Sequence, residues 1–343
     1  PPDSNKIGGG NDGSIWNPFL APLHEITGAT LITYDRPGYG QSELNPNLAD
    51  EEKSLIDHGI TDLQKALKAL GYNKEILLVS HSYGGFYSAF FAANTPDQVK
   101  GIVLIDANLN SFWTEDFLAR KKKEQTEAWL DYVKGISLGV YYECLALEQT
   151  VRNVRKLSFP DHIPIIDLVA EHPPEFSLES DRDRWKAHHQ KFADASPNRK
   201  GIMAYDCRHY LHYDNPALLI NSIVALYTEV NPQIDHSQIL TKSLEYNTQR
   251  ANEYRQMEYD YWHSERAINA WGYELMNEGE RGKALKIFEL NVALFPDSWN
   301  VYDSYGEALL ATGEKDKALE MYKKSLILNP ENEAAKEVLD QHK

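Results

Sequence analysis

The chain has 343 residues, 42% of them hydrophobic and 25% charged, and its 51 acidic against 35 basic side chains leave a formal charge of −16. That length can bury a large core and add a second unit, while the acidity disfavours nucleic acid and anionic membrane surfaces, which reward clustered Lys and Arg. Cys144 and Cys207, far apart in sequence, exclude a disulfide framework and an all-cysteine zinc site; no run of about 18 apolar residues marks a membrane span, and Pro1 to Lys6 lacks the apolar core of a signal peptide. A soluble chain is expected, with the cytoplasm favoured, although a cleaved or truncated N-terminus would leave the same trace.

From residue 1 to about 235, short β-rich apolar runs alternate with helical stretches, the pattern of a mainly parallel sheet covered by helices. Thr30 to Tyr34 reads as a strand running into the turn-rich loop Asp35-Arg36-Pro37-Gly38-Tyr39-Gly40-Gln41-Ser42, and Leu63, Ala66, Leu67 and Leu70 mark one face of a helix that stops at Gly71. Ile76 to Val79 is the next strand. A third strand, Gly101 to Ile105, ends in Asp106, at the carboxyl end where open α/β sheets put their chemistry. Residues 107 to about 160 interrupt the alternation with helices carrying Trp113, Phe117, Trp129, Tyr132, Tyr141 and Tyr142; these could roof a site, or simply form the insertion's own core. Ile163 to Glu171 resumes the sheet, a helix spans about Trp185 to Ala195, and Ile202 to Tyr205 leads to Arg208-His209-Tyr210-Leu211-His212.

A polar stretch at about 236–262 reads as a linker or helix, and then the chain repeats itself. Gly272 and Gly306, Gly279 and Gly313, Ala284-Leu285 and Ala318-Leu319, Phe288 and Tyr322, and Pro296 and Pro330 each stand 34 residues apart. That is the tetratricopeptide period, and it predicts an all-α region over 263–343, with helix pairs at 265–298 and 299–332 and a capping helix near 333–340. Two such pairs fall short of the three usually needed for independent stability, so docking on the preceding domain or on another copy of the chain is expected. Trp299, Tyr302 and Tyr305 read as packing between helices rather than as a ligand platform, and the surplus of acidic side chains makes acidic peptide tails poor partners.

The most informative segment is Ser80-His81-Ser82-Tyr83-Gly84-Gly85, set between the apolar strand and the small-residue helix Phe86 to Ala93. A serine hydroxyl needs exposure on a tight turn, a base and amide donors before it can act as a nucleophile, and small residues at 80, 84 and 85 permit that turn around Ser82. Ser80 stands where a Gly-x-Ser-x-Gly motif has its first glycine. With this segment, the Asp35 to Ser42 loop and the Arg208 to His212 segment together, residues 1 to about 230 resemble the α/β-hydrolase superfamily, in its serine esterase and aminopeptidase-like branch. The resemblance implies Ser82 as nucleophile, His209 as general base, and an oxyanion hole from the backbone N–H groups of Tyr83 and Gly9. The order nucleophile, acid, histidine fits Ser82, Asp106 and His209; Glu171 is the second choice for the acid, followed by Asp167, Asp181 and Asp183.

Among rival histidines, His81 should point away from the nucleophile, His188 and His189 read as solvated on a polar helix, and His212 reads as a wall residue. The family normally has strands and a histidine-glycine pair before the oxyanion loop, whereas this sequence starts almost at that loop with Ile7 in the histidine's place, so a sheet short of its first strands is expected; Arg208 replaces the usual glycine, which could crowd or charge the pocket. The expected activity is cleavage of a small-molecule ester, or an amide, through an acyl-enzyme. An aminopeptidase, lactonase or thioesterase would use the same triad, and a non-catalytic partner-binding protein is the other reading. No cofactor is implied, and no metal-ligand spacing or phosphate loop stands out.

Overall fold

The computed structural model describes residues 11–174, 176, 178–256 and 265–342. It divides into two compact units, one of residues 1–169 and 173–201 and the other of residues 170–172 and 202–343.

In the first unit, helices α1 (Asn17–Thr27) and α2 (Ile56–Ala69) precede strand β1 (Ile76–His81). Helix α3 (Gly84–Asn94) leads to β2 (Val99–Ile105), then come α4 (Glu115–Glu124), α5 (Glu127–Ile136) and α6 (Leu138–Val154), β3 (Ile165–His172), α7 (Glu179–Asp194) and β4 (Arg199–Arg208), with residues 170–172 of β3 and 202–208 of β4 counted in the second unit. The sheet runs in the order β1-β2-β3-β4. Pairing is parallel from β1 to β2 and from β2 to β3, with Ser80 opposite Leu104 and Leu104 opposite Asp167. Strand β2 is buried on both faces from Gly101 to Ile105, which is why it reads as a continuous apolar run rather than an alternating one.

The expected strand at Thr30 to Tyr34 does not form. The segment joins no ladder, and Ile32 and Tyr34 are 42% and 40% exposed. A β-branched run becomes a strand only where a neighbour takes its main-chain hydrogen bonds, and the described residues supply none here. The following loop is instead organised by a side chain. Asp35 accepts from the N–H groups of Gly13 and Gln41, each at 2.8 Å, and its carbonyl accepts from the Ser42 hydroxyl at 2.7 Å.

The second unit is helical beyond β4: α8 (Leu211–Asp214), α9 (Pro216–Glu229), α10 (His236–Gln256), α11 (Glu265–Asn277), α12 (Arg281–Leu294), α13 (Trp299–Thr312), α14 (Lys315–Leu328) and α15 (Glu333–Gln341). The stretch that reads as polar in sequence is largely one 21-residue helix, α10, held to α9 by Ser243 and Asn247 donating to the buried Asn221 carbonyl at 2.6 and 3.3 Å. Helices α11 to α14 pack in sequence-adjacent pairs with the same internal contact twice. A Cβ added to Gly272 would meet the Phe288 ring at 2.7 Å, and one added to Gly306 would meet the Tyr322 ring at 3.0 Å. Between the pairs, the Tyr273 hydroxyl donates to Glu307 Oε2 at 2.7 Å, and Asn269 Nδ2 donates to Ser304 Oγ at 3.0 Å. No described helix is long and apolar enough to cross a membrane.

Candidate active site

Ser82 stands between β1 and α3 with φ +53°, in the left-handed region that a non-glycine residue occupies only at a cost of about 1–3 kcal/mol. Three main-chain bonds hold it there: Ser82 N–H donates to Ile105 O at 3.2 Å, and Ser82 O accepts from Gly85 N at 3.0 Å and from Asn108 N at 2.8 Å. Two of these tie the turn to the end of β2, so the serine and the carboxyl end of the neighbouring strand form one piece of backbone. Gly85 makes the closeness possible, since a Cβ there would lie 2.5 Å from Asn108 O and 2.9 Å from Ala107 Cβ. Tyr83 is the N-cap of α3, and its ring packs edge-on against Phe86 at 5.4 Å.

Asp106 ends β2, fully buried and also left-handed, with φ +41°. Its N–H donates to Leu168 O at 2.7 Å, and its Oδ1 accepts the indole N–H of Trp185 at 2.8 Å. The first unit therefore brings Ser82 and Asp106 onto adjoining turns. His209, half-buried, belongs to the second unit just after β4; its ring lies 5.4 Å from that of Tyr210. Gly9, the other expected oxyanion donor, lies outside the described residues.

The alternative acids are engaged elsewhere. Asp167 binds His189 Nδ1 at 2.7 Å, Asp181 takes a two-pronged contact from Arg120 at 2.8 and 3.0 Å and is 3.2 Å from Arg184, and Asp183 is an exposed partner of Lys186. Glu171 accepts the Asp206 N–H at 2.8 Å and lies 3.5 Å from Arg266, whose guanidinium sits 4.5 Å over the Tyr205 ring.

His189 corrects the expectation of a solvated residue: it is 1% exposed on a helix whose composition is polar. Burial works against its protonation, but the Asp167 carboxylate more than offsets this and raises its pKa, with Asp106 and the Ala107 main chain acting in the same direction. Its ring packs 4.9 Å from that of Trp185, which makes it a core element. His212 is fully buried, as a wall residue should be, and burial, reinforced by nearby His209 and only partly countered by Asp214, pushes its pKa down to about 4. Arg208 does not leave a loose charge: its guanidinium grips Asp214 at 2.6 and 3.1 Å, and its N–H donates to the same carboxylate at 2.7 Å.

The insertion between β2 and β3 carries two attachments that sequence reading missed. Arg36, from the loop after Tyr34, pairs with Glu143 of α6 at 2.9 Å, with side-chain exposures of 15% and 6%. Tyr39 donates to Glu143 Oε2 at 2.7 Å, and the guanidinium lies 4.6, 5.3 and 5.7 Å from the Tyr39, Tyr83 and Tyr87 rings. Helix α4 is fastened to α7 by the Arg120–Asp181 contact, beside an aromatic cluster of Phe112, Phe117, Phe176 and Trp185. Most of the insertion's aromatics thus serve packing; Tyr132, 61% exposed, does not. No group of three or more potential metal ligands occurs among the described residues.

A parallel sheet with helices around it, carrying a left-handed serine between strand and helix and an acid at the next strand's end, defines an α/β hydrolase. The chain belongs to the alpha/beta hydrolase fold family, which matches residues 7–261. It is 25% identical over 217 residues to the uncharacterized protein YqjL of Bacillus subtilis (strain 168), covering 62% of this chain and 78% of that one. It is 32% identical over 98 residues to a proline iminopeptidase of Saccharolobus solfataricus, 28% of this chain and 30% of that protein. Among solved structures, a carboxylesterase of the thaumarchaeon Nitrososphaera gargenis is 15% identical with a TM-score of 0.46, covering 66% of this chain and 89% of that one.

Proposed function

We propose that the protein is a serine hydrolase that cleaves a small carboxylic ester through an acyl-enzyme, with Ser82 as nucleophile, His209 as general base and Asp106 as the acid that orients the imidazole. The observation that carries this reading is the left-handed backbone at Ser82, strain that a fold retains where a side chain must be presented for chemistry. In the forward step, His209 takes the hydroxyl proton as Ser82 Oγ bonds to the carbonyl carbon; the tetrahedral intermediate then expels the alcohol, which leaves with that proton. Water enters by the same route in reverse and releases the acid. The Tyr83 N–H, at the start of α3, is one oxyanion donor, and Gly9 would supply the other. Asp106 is preferred to Glu171 because Glu171 already serves the Asp206 N–H and Arg266.

Cleavage of an N-terminal amino-acyl bond is the second reading, favoured by the local likeness to the Saccharolobus solfataricus iminopeptidase. Residues 265–298 and 299–332 are proposed as two tetratricopeptide repeats, supported by the duplicated glycine-on-ring contact 34 residues apart, with docking of the repeats or self-association as their role.

The test is labelling with a fluorophosphonate probe alongside turnover of short-chain p-nitrophenyl esters and amino-acyl p-nitroanilides, in the intact chain and in Ser82→Ala. Both signals should vanish in the variant, a loss of at least about 10³-fold. Unlabelled, inactive but folded wild-type protein would sink the hydrolase reading, and preference for the anilides would move it to the peptidase form.

A further inference from the structure

We infer that Trp185 is a positioning residue for Asp106: its indole N–H fixes the rotation of the carboxylate that the proposed triad uses. This rests on Asp106 being the triad acid.

The backbone of Asp106 is pinned on both sides, by its own N–H on Leu168 O and by the Asn108 N–H on Ser82 O. Its side chain retains only rotation about χ1 and χ2, and the Trp185 contact at 2.8 Å removes that freedom by engaging Oδ1. The donor is itself immobile. Trp185 is 2% exposed and wedged between the Phe112 ring at 4.9 Å, the Phe176 ring at 5.6 Å and the His189 ring at 4.9 Å, and His189 is in turn held by Asp167.

The chemistry of the donor matters as much as its rigidity. An indole offers one N–H and no acceptor, so it supports the ionised carboxylate without adding a charge of its own. The four alternative acids each face a cationic or imidazole partner: His189 for Asp167, Arg120 and Arg184 for Asp181, Lys186 for Asp183, Arg266 for Glu171. A carboxylate already bound to a guanidinium has given up much of the field it could direct at an imidazolium. The Trp185 contact engages Asp106 Oδ1 without adding a cation to it. Helix α7, with Asp181, Trp185 and His189 buried one turn apart, thereby acts as the template for the acid.

The test is Trp185→Phe, which keeps a buried ring and deletes the N–H, assayed in the full chain with p-nitrophenyl butyrate and by the rate of fluorophosphonate labelling. kcat should fall about tenfold with KM unchanged, the rate equivalent of one hydrogen bond. In an Asp106→Asn background the same change should cost less than about twofold, because a residue acting only through Asp106 has nothing left to act on. Undiminished kcat in Trp185→Phe, or an equal loss in both backgrounds, would overturn the positioning role while leaving the triad intact. Turnover surviving in Ser82→Ala or undiminished in Asp106→Asn would overturn the triad reading and this inference with it. If Trp185→Phe does not fold, ¹⁵N-indole NMR of otherwise native protein decides: one of the seven tryptophan N–H signals should lie downfield and move upfield in Asp106→Asn, and its failure to move overturns the proposal.

Discussion

Two buried histidines, one in each unit, respond to burial in opposite ways. His189 on α7 and His212 on α8 are both almost inaccessible, yet the first has a raised pKa and the second is pushed down to about 4. Desolvation is the largest influence on both and disfavours the cation in both. The difference is the partner: Asp167 lies 2.7 Å from His189, whereas His212 sits near His209 and gains little from Asp214. Burial sets the scale of a histidine's shift, and one well-placed carboxylate sets its sign.

The strongest way to break the comparison is Asp167→Ala, which leaves His189 buried without its carboxylate. A loss of about 3–5 kcal/mol in urea unfolding is expected at neutral pH. Because the folded pKa of His189 is raised, its stabilisation is complete below its unfolded value near 6.5 and fades as pH rises through the folded value. The gap between wild type and variant should therefore narrow in alkaline buffer; a gap that widened would refute the assigned sign. His212 should show the mirror image. Its lowered pKa makes stability decline as pH falls from about 6.5 towards 4, by on the order of 3 kcal/mol, and His212→Phe should flatten that slope.

Arg208→Ala sharpens the picture at the second histidine's neighbour, buried Asp214. The Arg208 side chain is 69% exposed, so about 1 kcal/mol is expected from denaturation, with the main-chain donor to Asp214 retained. The smallest effect belongs to the repeated helices. Tyr273→Phe, which deletes the bond to Glu307, should cost about 0.5–1 kcal/mol and lower Tm by a few degrees in calorimetry.

How much of this was legible in sequence depends on which signal a residue carries. The strand-turn-helix around Ser82 was readable because an apolar run followed by small residues has few other uses, and the 34-residue spacing announced helix pairs because the same glycine-on-ring contact recurs. Thr30 to Tyr34 misled, since β-branched residues declare a propensity but not a neighbour. His189 misled for a different reason: α7 is polar by composition, and its inner face is a stripe of Asp181, Trp185, His189 and Ala193, each four residues on. That spacing was visible, but two of its four members are polar, so hydrophobic periodicity passed over it. The Arg36–Glu143 pair, separated by more than a hundred residues, had no local signature at all.

That pair also bears on where the fold tolerates change. Lifting α6 would separate the buried Arg36 guanidinium from its carboxylate and the Tyr39 hydroxyl from the same acceptor, a change worth several kcal/mol. At about 4 kcal/mol the raised state would be populated roughly one part in a thousand of the time. Change can therefore accumulate at lower cost on α5, where Tyr132 and Ile136 face solvent, than on α6, whose Glu143 is committed to Arg36 and Tyr39.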